Sequence, residues 1–274
     1  MIENVGLIVD DNPISRCYIN ILKNEKIKFK NVVYLSSNVF FFKKFFAKGN
    51  YLIKNSYPIN FLKNSSILNI VNKCEEFFDF NSGFCKNMYN FNNIFDITDN
   101  VIYANSNSVN DPKVLKLLNE LNQTTFFNTG KQILKGVLNT KHKFVHIHPG
   151  YLPMVKGADG SLWHLKNFNF LGVSSFFMSN TIDEGKLIYR EKIKIPNFNS
   201  MIEIDKFKDI KEVYRIWFSF FDPLLRGYHF KKLLSKSFDF ESFDCQIGAN
   251  EEENYYSFMK DNDKSIVFKK VFDK

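Results

Sequence analysis

The chain has 274 residues, of which 45% are hydrophobic, and its formal net charge is +8. This length and apolar content predict one large folded domain, or one domain with a smaller appendage, and they argue against an intrinsically disordered chain. The four cysteines lie far apart without a C-x-x-C pair, so a zinc ribbon is not predicted. No run of about 18 apolar residues is present to span a membrane.

The positive charge is not gathered into a basic cluster. Residues 201–274 hold 13 Lys and Arg and 14 Asp and Glu, a net of −1. Nucleic-acid binding needs clustered basic side chains, so no nucleic-acid partner is predicted. The opening MIENVGLIVD lacks the basic segment, apolar run and cleavage site of a secretory signal, and a cytoplasmic protein is therefore expected.

The first fifty residues predict a strand–helix–strand unit and then a further helix. The two strands are NVGLIVD (4–10) and FKNVVYLSS (29–37), and SRCYINILKN (15–24) between them has apolar residues at helical spacing. No G-x-G-x-x-G follows the first strand, so the dinucleotide fingerprint is absent. The Phe-rich segment 38–50 predicts an amphipathic helix, and residues 51–100 predict short helices and loops.

The second half continues the alternation of strands and helices. Strands are predicted at 100–104, 124–128, 143–148, 170–180 and before Pro196, with a helix after Pro112. Residues 211–236 predict a helix broken near Asp222 and Pro223. The pattern favours an α/β protein with a Rossmann-like, mostly parallel central sheet. We expect a catalytic domain over 1–200 and a smaller mixed α/β extension over 201–274.

Two of the five histidines, His146 and His148, end a predicted strand just before a Pro-Gly turn. Side chains at i and i+2 of a strand point to the same face, and the C-terminal end of a strand lies at the edge where α/β sheets bind ligands. Three interpretations follow. With Asp183 the pair could bind a metal ion; it could serve acyl transfer as an acid/base and an oxyanion donor; or it could be structural.

The residues around the pair resemble the folate-dependent formyltransferase family over roughly 101–196. The resemblance is carried by VHIHPGYLPMVKGADGSLW (145–163) and GVSSFFMSNTIDEGKLI (172–188). His148 matches the family histidine, Pro149, Leu152 and Pro153 match its turn, and Gly157 matches its loop glycine. Asp183 lies 35 residues after His148 and matches the family aspartate. The resemblance implies a Rossmann-like formyltransferase domain and transfer of a formyl group from N10-formyltetrahydrofolate to an amine.

The same resemblance implies roles for individual residues. His148 is expected to be the acid/base, oriented by Asp183. His146 stands where the family has asparagine, and it is expected to donate to the oxyanion and to titrate near neutral pH. The resemblance also implies a folate pocket formed by two segments: Gly130, Lys131, Gln132, Ile133, Leu134, Asn180, Thr181 and Ile182. Tyr151 and Asp159 are the expected acceptor-binding residues.

The acceptor expected from the short, acidic C-terminal segment is a small molecule, such as a nucleotide-linked amino sugar, rather than tRNA. Two alternatives to this transferase remain open. One is a metal-dependent hydrolase or oxygenase built on His146, His148 and Asp183, and the other is a formyl hydrolase that uses water instead of an amine. The C-terminal tail could cover the acceptor side or form a homodimer contact.

Overall fold

A computed structural model describes residues 1–35, 57–90, 94–130, 132–198, 207, 209–243, 245–248 and 251–272. The predicted helix at 38–50 and the predicted pocket residue Lys131 therefore lie outside the described residues. The strands are β1 (Val5–Val9), β2 (Asn31–Tyr34), β3 (Asn100–Tyr103), β4 (Thr125–Asn128), β5 (Lys143–His148), β6 (Lys156–Gly157), β7 (Leu171–Phe177), β8 (Leu187–Ile193) and β9 (Tyr255–Tyr256).

The α-helices are α1 (Pro13–Asn24), α2 (Ser65–Phe77), α3 (Phe84–Tyr89), α4 (Pro112–Asn119), α5 (Gly160–Asn167), α6 (Ile210–Ile216), α7 (Asp222–Lys236) and α8 (Asp261–Phe272). Short 3-10 helices occupy Tyr57–Lys63, Ile94–Asp96, Gly136–Asn139 and Phe240–Ser242. Among the described residues, no helix is long and apolar enough to cross a membrane.

The central sheet has the order β3-β2-β1-β4-β5-β7-β8. β1 to β5 pair in parallel, whereas β7 is antiparallel to both β5 and β8. The sheet is therefore mostly parallel with helices around it, and the predicted Rossmann-like α/β class is confirmed. β1 is buried at all five positions, which explains why its sequence is a continuous apolar run rather than an alternating one.

The strand order reverses between β1 and β4, and Asn12 joins the ends of these two strands. Its side-chain oxygen accepts from the backbone N–H groups of Ile14 and Ser15 and caps α1, with Pro13 at the first helical position. Its amide nitrogen donates to the carbonyl of Thr129, 2.9 Å away, just after β4. In open α/β sheets this reversal point is where ligands bind.

The C-terminal residues pack into the same core as the sheet. The Phe127 ring on β4 contacts Phe230 on α7 at a centroid distance of 4.9 Å and Phe240 at 5.3 Å. Tyr18 on α1 stacks on Phe230 at 4.2 Å. Residues on both sides of the expected boundary at 200 thus share one hydrophobic cluster, and the boundary itself stays a prediction.

The predicted helix break near Pro223 is wrong. The chain stays helical from α6 through a π-helical turn, Trp217–Phe221, into α7. A proline inside a helix removes one N–H donor and clashes with the carbonyl four residues before it, and the wider π turn accommodates this. The carbonyl concerned belongs to Ser219, and it accepts a 2.6 Å hydrogen bond from the Tyr89 hydroxyl. Tertiary packing therefore stabilises a continuous helix that local sequence disfavours.

Candidate active site

A cavity of about 800 Å³ opens at the carboxyl ends of the parallel strands. Pro13 after β1, Gly130 after β4 and Pro149 after β5 all line it, so the cavity lies at the reversal point of the sheet. A site of this size at this edge suits a small organic ligand rather than a single ion.

The structure brings the predicted folate-pocket residues together along this cavity. Its lining includes Gly130, Gln132, Ile133, Leu134, Asn180, Thr181 and Ile182. The Gln132 side chain fixes the first of these segments, since it accepts from the Val109 N–H at 3.2 Å and donates to the Asn107 carbonyl at 2.9 Å. The loop at 107–110 that supports this segment has no recognisable sequence motif. Its hydrogen bonds join it to residues about twenty-five positions later in the chain.

His148 is 3% exposed and is held by the loop that follows it. Its Nε2 lies 2.9 Å from the carbonyl oxygen of Val155. A carbonyl only accepts, so Nε2 carries the proton in the neutral ring and Nδ1 keeps a free electron pair. Gly150 permits this approach, because a Cβ there would lie 2.5 Å from Nε2 and 2.4 Å from the Val155 oxygen.

Asp183 faces the free nitrogen of His148. Its Oδ2 lies 3.7 Å from His148 Nδ1 and accepts the backbone N–H of Gly157 at 2.7 Å. Asp183 has a positive φ of 57°, which is strained for a residue with a side chain, and Gly157 has φ 90°. The pairing of Gly157 in β6 with Tyr256 in β9 fixes the N–H that orients the carboxylate. The contact between His148 and Asp183 expected from the sequence is therefore present.

His146 does not have the donor geometry expected for it. Its Nδ1 lies 3.4 Å from the carbonyl of Asn128, and its Nε2 lies 3.3 Å from Arg226 Nη1. The first nitrogen must donate and the second must accept, which leaves no N–H for an oxyanion. Burial, reinforced by the Arg226 charge, lowers the pKa of His146 to about 3. This pKa lies well below the near-neutral titration expected for His146, and the catalytic role of the residue stays a prediction.

Arg226 and Asp222, which line the cavity from α7, were not predicted as site residues from the sequence. Arg226 Nε donates to Asp222 Oδ2 at 2.8 Å, one helical turn away, and Nη1 donates to the carbonyl of Ile147 as well as to His146. The signal in the sequence was a charged i, i+4 pair inside the apolar run FFDPLLRGYHF (220–230). Only the packing of α7 against the sheet places that pair beside the histidines.

The two residues expected to bind the acceptor have protein contacts of their own. Asp159 lines the cavity, but its oxygens accept from the Tyr214 hydroxyl at 2.8 Å and the Met259 N–H at 2.9 Å. Tyr151 is not among the residues that line the cavity, and its ring lies 4.5 Å from the Arg190 guanidinium carbon. The structure thus does not bring Tyr151 together with the histidines, and both acceptor-binding roles stay predictions.

The geometry does not favour the metal-site interpretation. Both ring nitrogens of His146 face protein groups, the Asn128 carbonyl and Arg226 Nη1, and Nε2 of His148 faces the Val155 carbonyl. Within the described ranges, no group of three or more His, Cys, Asp or Glu side chains has an arrangement that could hold a metal ion.

No protein-family model and no curated protein matches this chain. The fold is similar to those of several solved N-formyltransferases. One is from Helicobacter canadensis and was solved with folinic acid and dTDP-3-aminofucose. It is 18% identical to this chain and has a TM-score of 0.47, and the match covers 94% of this chain and 71% of that protein. A 4-N formyltransferase from Francisella tularensis is 17% identical and has a TM-score of 0.46. The match covers 98% of this chain and 88% of that protein. A sugar N-formyltransferase from a Shewanella species is 15% identical and has a TM-score of 0.46. The match covers 97% of this chain and 87% of that protein.

Proposed function

We propose that the protein transfers a formyl group from N10-formyltetrahydrofolate to an amine of a small acceptor, such as a nucleotide-linked amino sugar. The observation that carries the proposal is the environment of His148, whose free Nδ1 faces Asp183 inside a large cavity at the reversal point of the sheet. An imidazole nitrogen with a free electron pair next to a carboxylate suits general acid–base catalysis.

His148 moves one proton in this reaction. The acceptor amine attacks the formyl carbon, the new C–N bond forms, and the carbonyl electron pair moves to oxygen. Nδ1 takes the proton from the attacking nitrogen and returns it to N10 as the C–N10 bond breaks. The negative charge of Asp183, 3.7 Å from the same nitrogen, stabilises the imidazolium in between. In the net reaction the acceptor nitrogen loses a proton and gains the formyl group, and N10 loses the formyl group and gains the proton.

The walls of the cavity support a folate donor on one side. Gly130, residues 132–134 and residues 180–182 line the cavity, and Leu134, Phe176 and Met178 add apolar surface. A flat heteroaromatic ring with polar edges fits a wall of this kind, where apolar contacts supply affinity and a few fixed polar groups supply orientation.

Other residues that line the cavity support an acceptor with an aromatic base and an anionic group. Phe218 and Phe258 line it, and Phe258 is 74% exposed. Arg215 also lines the cavity, and arginine is suited to pair with phosphate oxygens. A nucleotide-linked amino sugar combines a stackable base, a diphosphate and a primary amine.

The test is calorimetric titration of wild type, His148→Ala and Glu184→Gln with a stable 10-formyl folate analogue, followed by formyl-transfer assays with dTDP-3-aminofucose and related amino sugars. Glu184 neighbours Asp183 but pairs with Lys156, so Glu184→Gln is a matched control. We expect near-stoichiometric binding by all three proteins, with transfer lost only in His148→Ala. Absence of binding by folded wild type would refute the folate donor, and release of formate without transfer would favour the formyl hydrolase.

A further inference from the structure

Arg226 holds a fixed guanidinium with one nitrogen left for a ligand. Nε donates to Asp222, and Nη1 donates to the carbonyl of Ile147 and to His146. Nη2 has no hydrogen-bond partner among the described residues, and the side chain lines the cavity with 11% of its surface exposed. Because three contacts hold the other N–H groups, the orientation of Nη2 is set before any ligand binds.

Asp222 presents the complementary group. Its side chain is 2% exposed and lines the same cavity. Oδ2 accepts from Arg226, whereas Oδ1 is buried without a hydrogen-bond partner. A buried carboxylate oxygen without a donor is unfavourable, and an N–H or O–H of a ligand would satisfy it.

We propose that the Asp222–Arg226 pair is the polar centre of the reaction site: Arg226 Nη2 donates to the formyl oxygen, and Asp222 Oδ1 accepts an N–H of the acceptor amine. This inference rests on the proposed formyl transfer. It assigns to Arg226 the oxyanion stabilisation that His146, with both ring nitrogens committed, does not supply. His146 becomes a positioning residue, which accepts from Nη1 and keeps the guanidinium in place.

Charge develops on the formyl oxygen when the amine attacks, and the guanidinium is positioned to meet it. The N–H that Asp222 accepts belongs to the attacking nitrogen and orients its electron pair toward the formyl carbon. The proton that leaves this nitrogen goes to His148 and then to N10, so Asp222 and Arg226 keep their charges throughout.

The first test is isotope-edited infrared spectroscopy of a stable 10-formyl folate analogue labelled with 13C in the formyl carbon. In wild type, the formyl carbonyl band should lie at lower frequency than for the free analogue, because a charged donor polarises the bond. Arg226→Lys should move the band back toward the free value and lower kcat by about 10²–10³. Arg190→Gln is the matched control, since Arg190 has comparable contacts with Glu251, Leu152 and Gln246 but does not line the cavity.

The outcomes separate this inference from the proposed function. If wild type does not bind the analogue, the proposed function fails. If wild type binds it with no lowered band, or Arg226→Lys keeps the wild-type band, formyl transfer stands and the role of Arg226 is refuted. An unshifted wild-type band refutes the role even if the variant does not fold.

A second measurement tests Asp222. Asp222→Asn should raise KM for the acceptor that wild type formylates fastest by about 10- to 100-fold. It should leave the formyl band lowered, because Nη2 is retained. An unchanged KM would refute the contact between Asp222 and the amine.

Discussion

Replacement of Asp183 by asparagine tests whether its carboxylate stabilises a charged His148. The variant keeps an oxygen that can accept the Gly157 N–H, so the loop that holds residue 183 should stay in place. The change therefore removes the negative charge without removing the hydrogen-bond acceptor. A change in turnover can then be assigned to electrostatics rather than to folding.

The size of the effect follows from the distance between the two groups. With His148 Nδ1 and Asp183 Oδ2 3.7 Å apart, opposite unit charges at an effective dielectric constant near 20 attract by about 4 kcal/mol. Since this attraction exists only while His148 is protonated, it lowers the barrier and not the energy of the resting site. A loss of about 4 kcal/mol would reduce kcat by about 10³, and we expect a decrease of about 10²–10³.

The assay is steady-state formyl transfer, with calorimetric binding of the 10-formyl analogue as a parallel measurement. Asp183→Asn should lower kcat and leave the dissociation constant of the donor within about threefold of wild type. Glu184→Gln, which neutralises the adjacent and more exposed carboxylate, should retain wild-type kcat. If Asp183→Asn folds and turns over at a rate close to that of wild type, the assignment of His148 and Asp183 as a charge-stabilised pair is wrong.

Three further predictions concern stability and the anchoring of the site. Gly157→Ala should destabilise the protein by about 1–3 kcal/mol and lower kcat. Residue 157 has a positive φ, and the added Cβ would lie 2.1 Å from the Tyr256 carbonyl oxygen. Denaturant unfolding measures the loss of stability, and the transfer assay measures kcat. Phe127→Ala should lower the free energy of unfolding by about 3–5 kcal/mol, and a loss below 1 kcal/mol would contradict a shared core. Burial lowers the pKa of His146 and of His164 from 6.5 to about 3, so the unfolded state binds more protons between these values. The two histidines should therefore reduce stability by up to about 3 kcal/mol per pH unit as the pH falls below 6.5, and a melting temperature unchanged down to pH 5 would oppose this.

Local patterns in the sequence were sufficient to predict the α/β class. The continuous apolar run of β1 indicates a strand buried on both faces, and such strands occur in parallel sheets covered by helices. The spacing of His146 and His148 before a Pro-Gly turn placed them at the ligand-binding edge, and both line the cavity there. Such patterns predict strands and turns because strand alternation and turn formation depend on near neighbours in the chain.

Tertiary structure decided which atoms of the site are available. The sequence identifies His146 as a residue with two ring nitrogens, but only the packing of α7 brings Arg226 against it and makes Nε2 an acceptor. The same packing keeps the helix continuous across Pro223, through a hydrogen bond from Tyr89. These contacts join residues 80 and 130 positions apart, and protonation and donor capacity depend on such neighbours in space rather than on residue type.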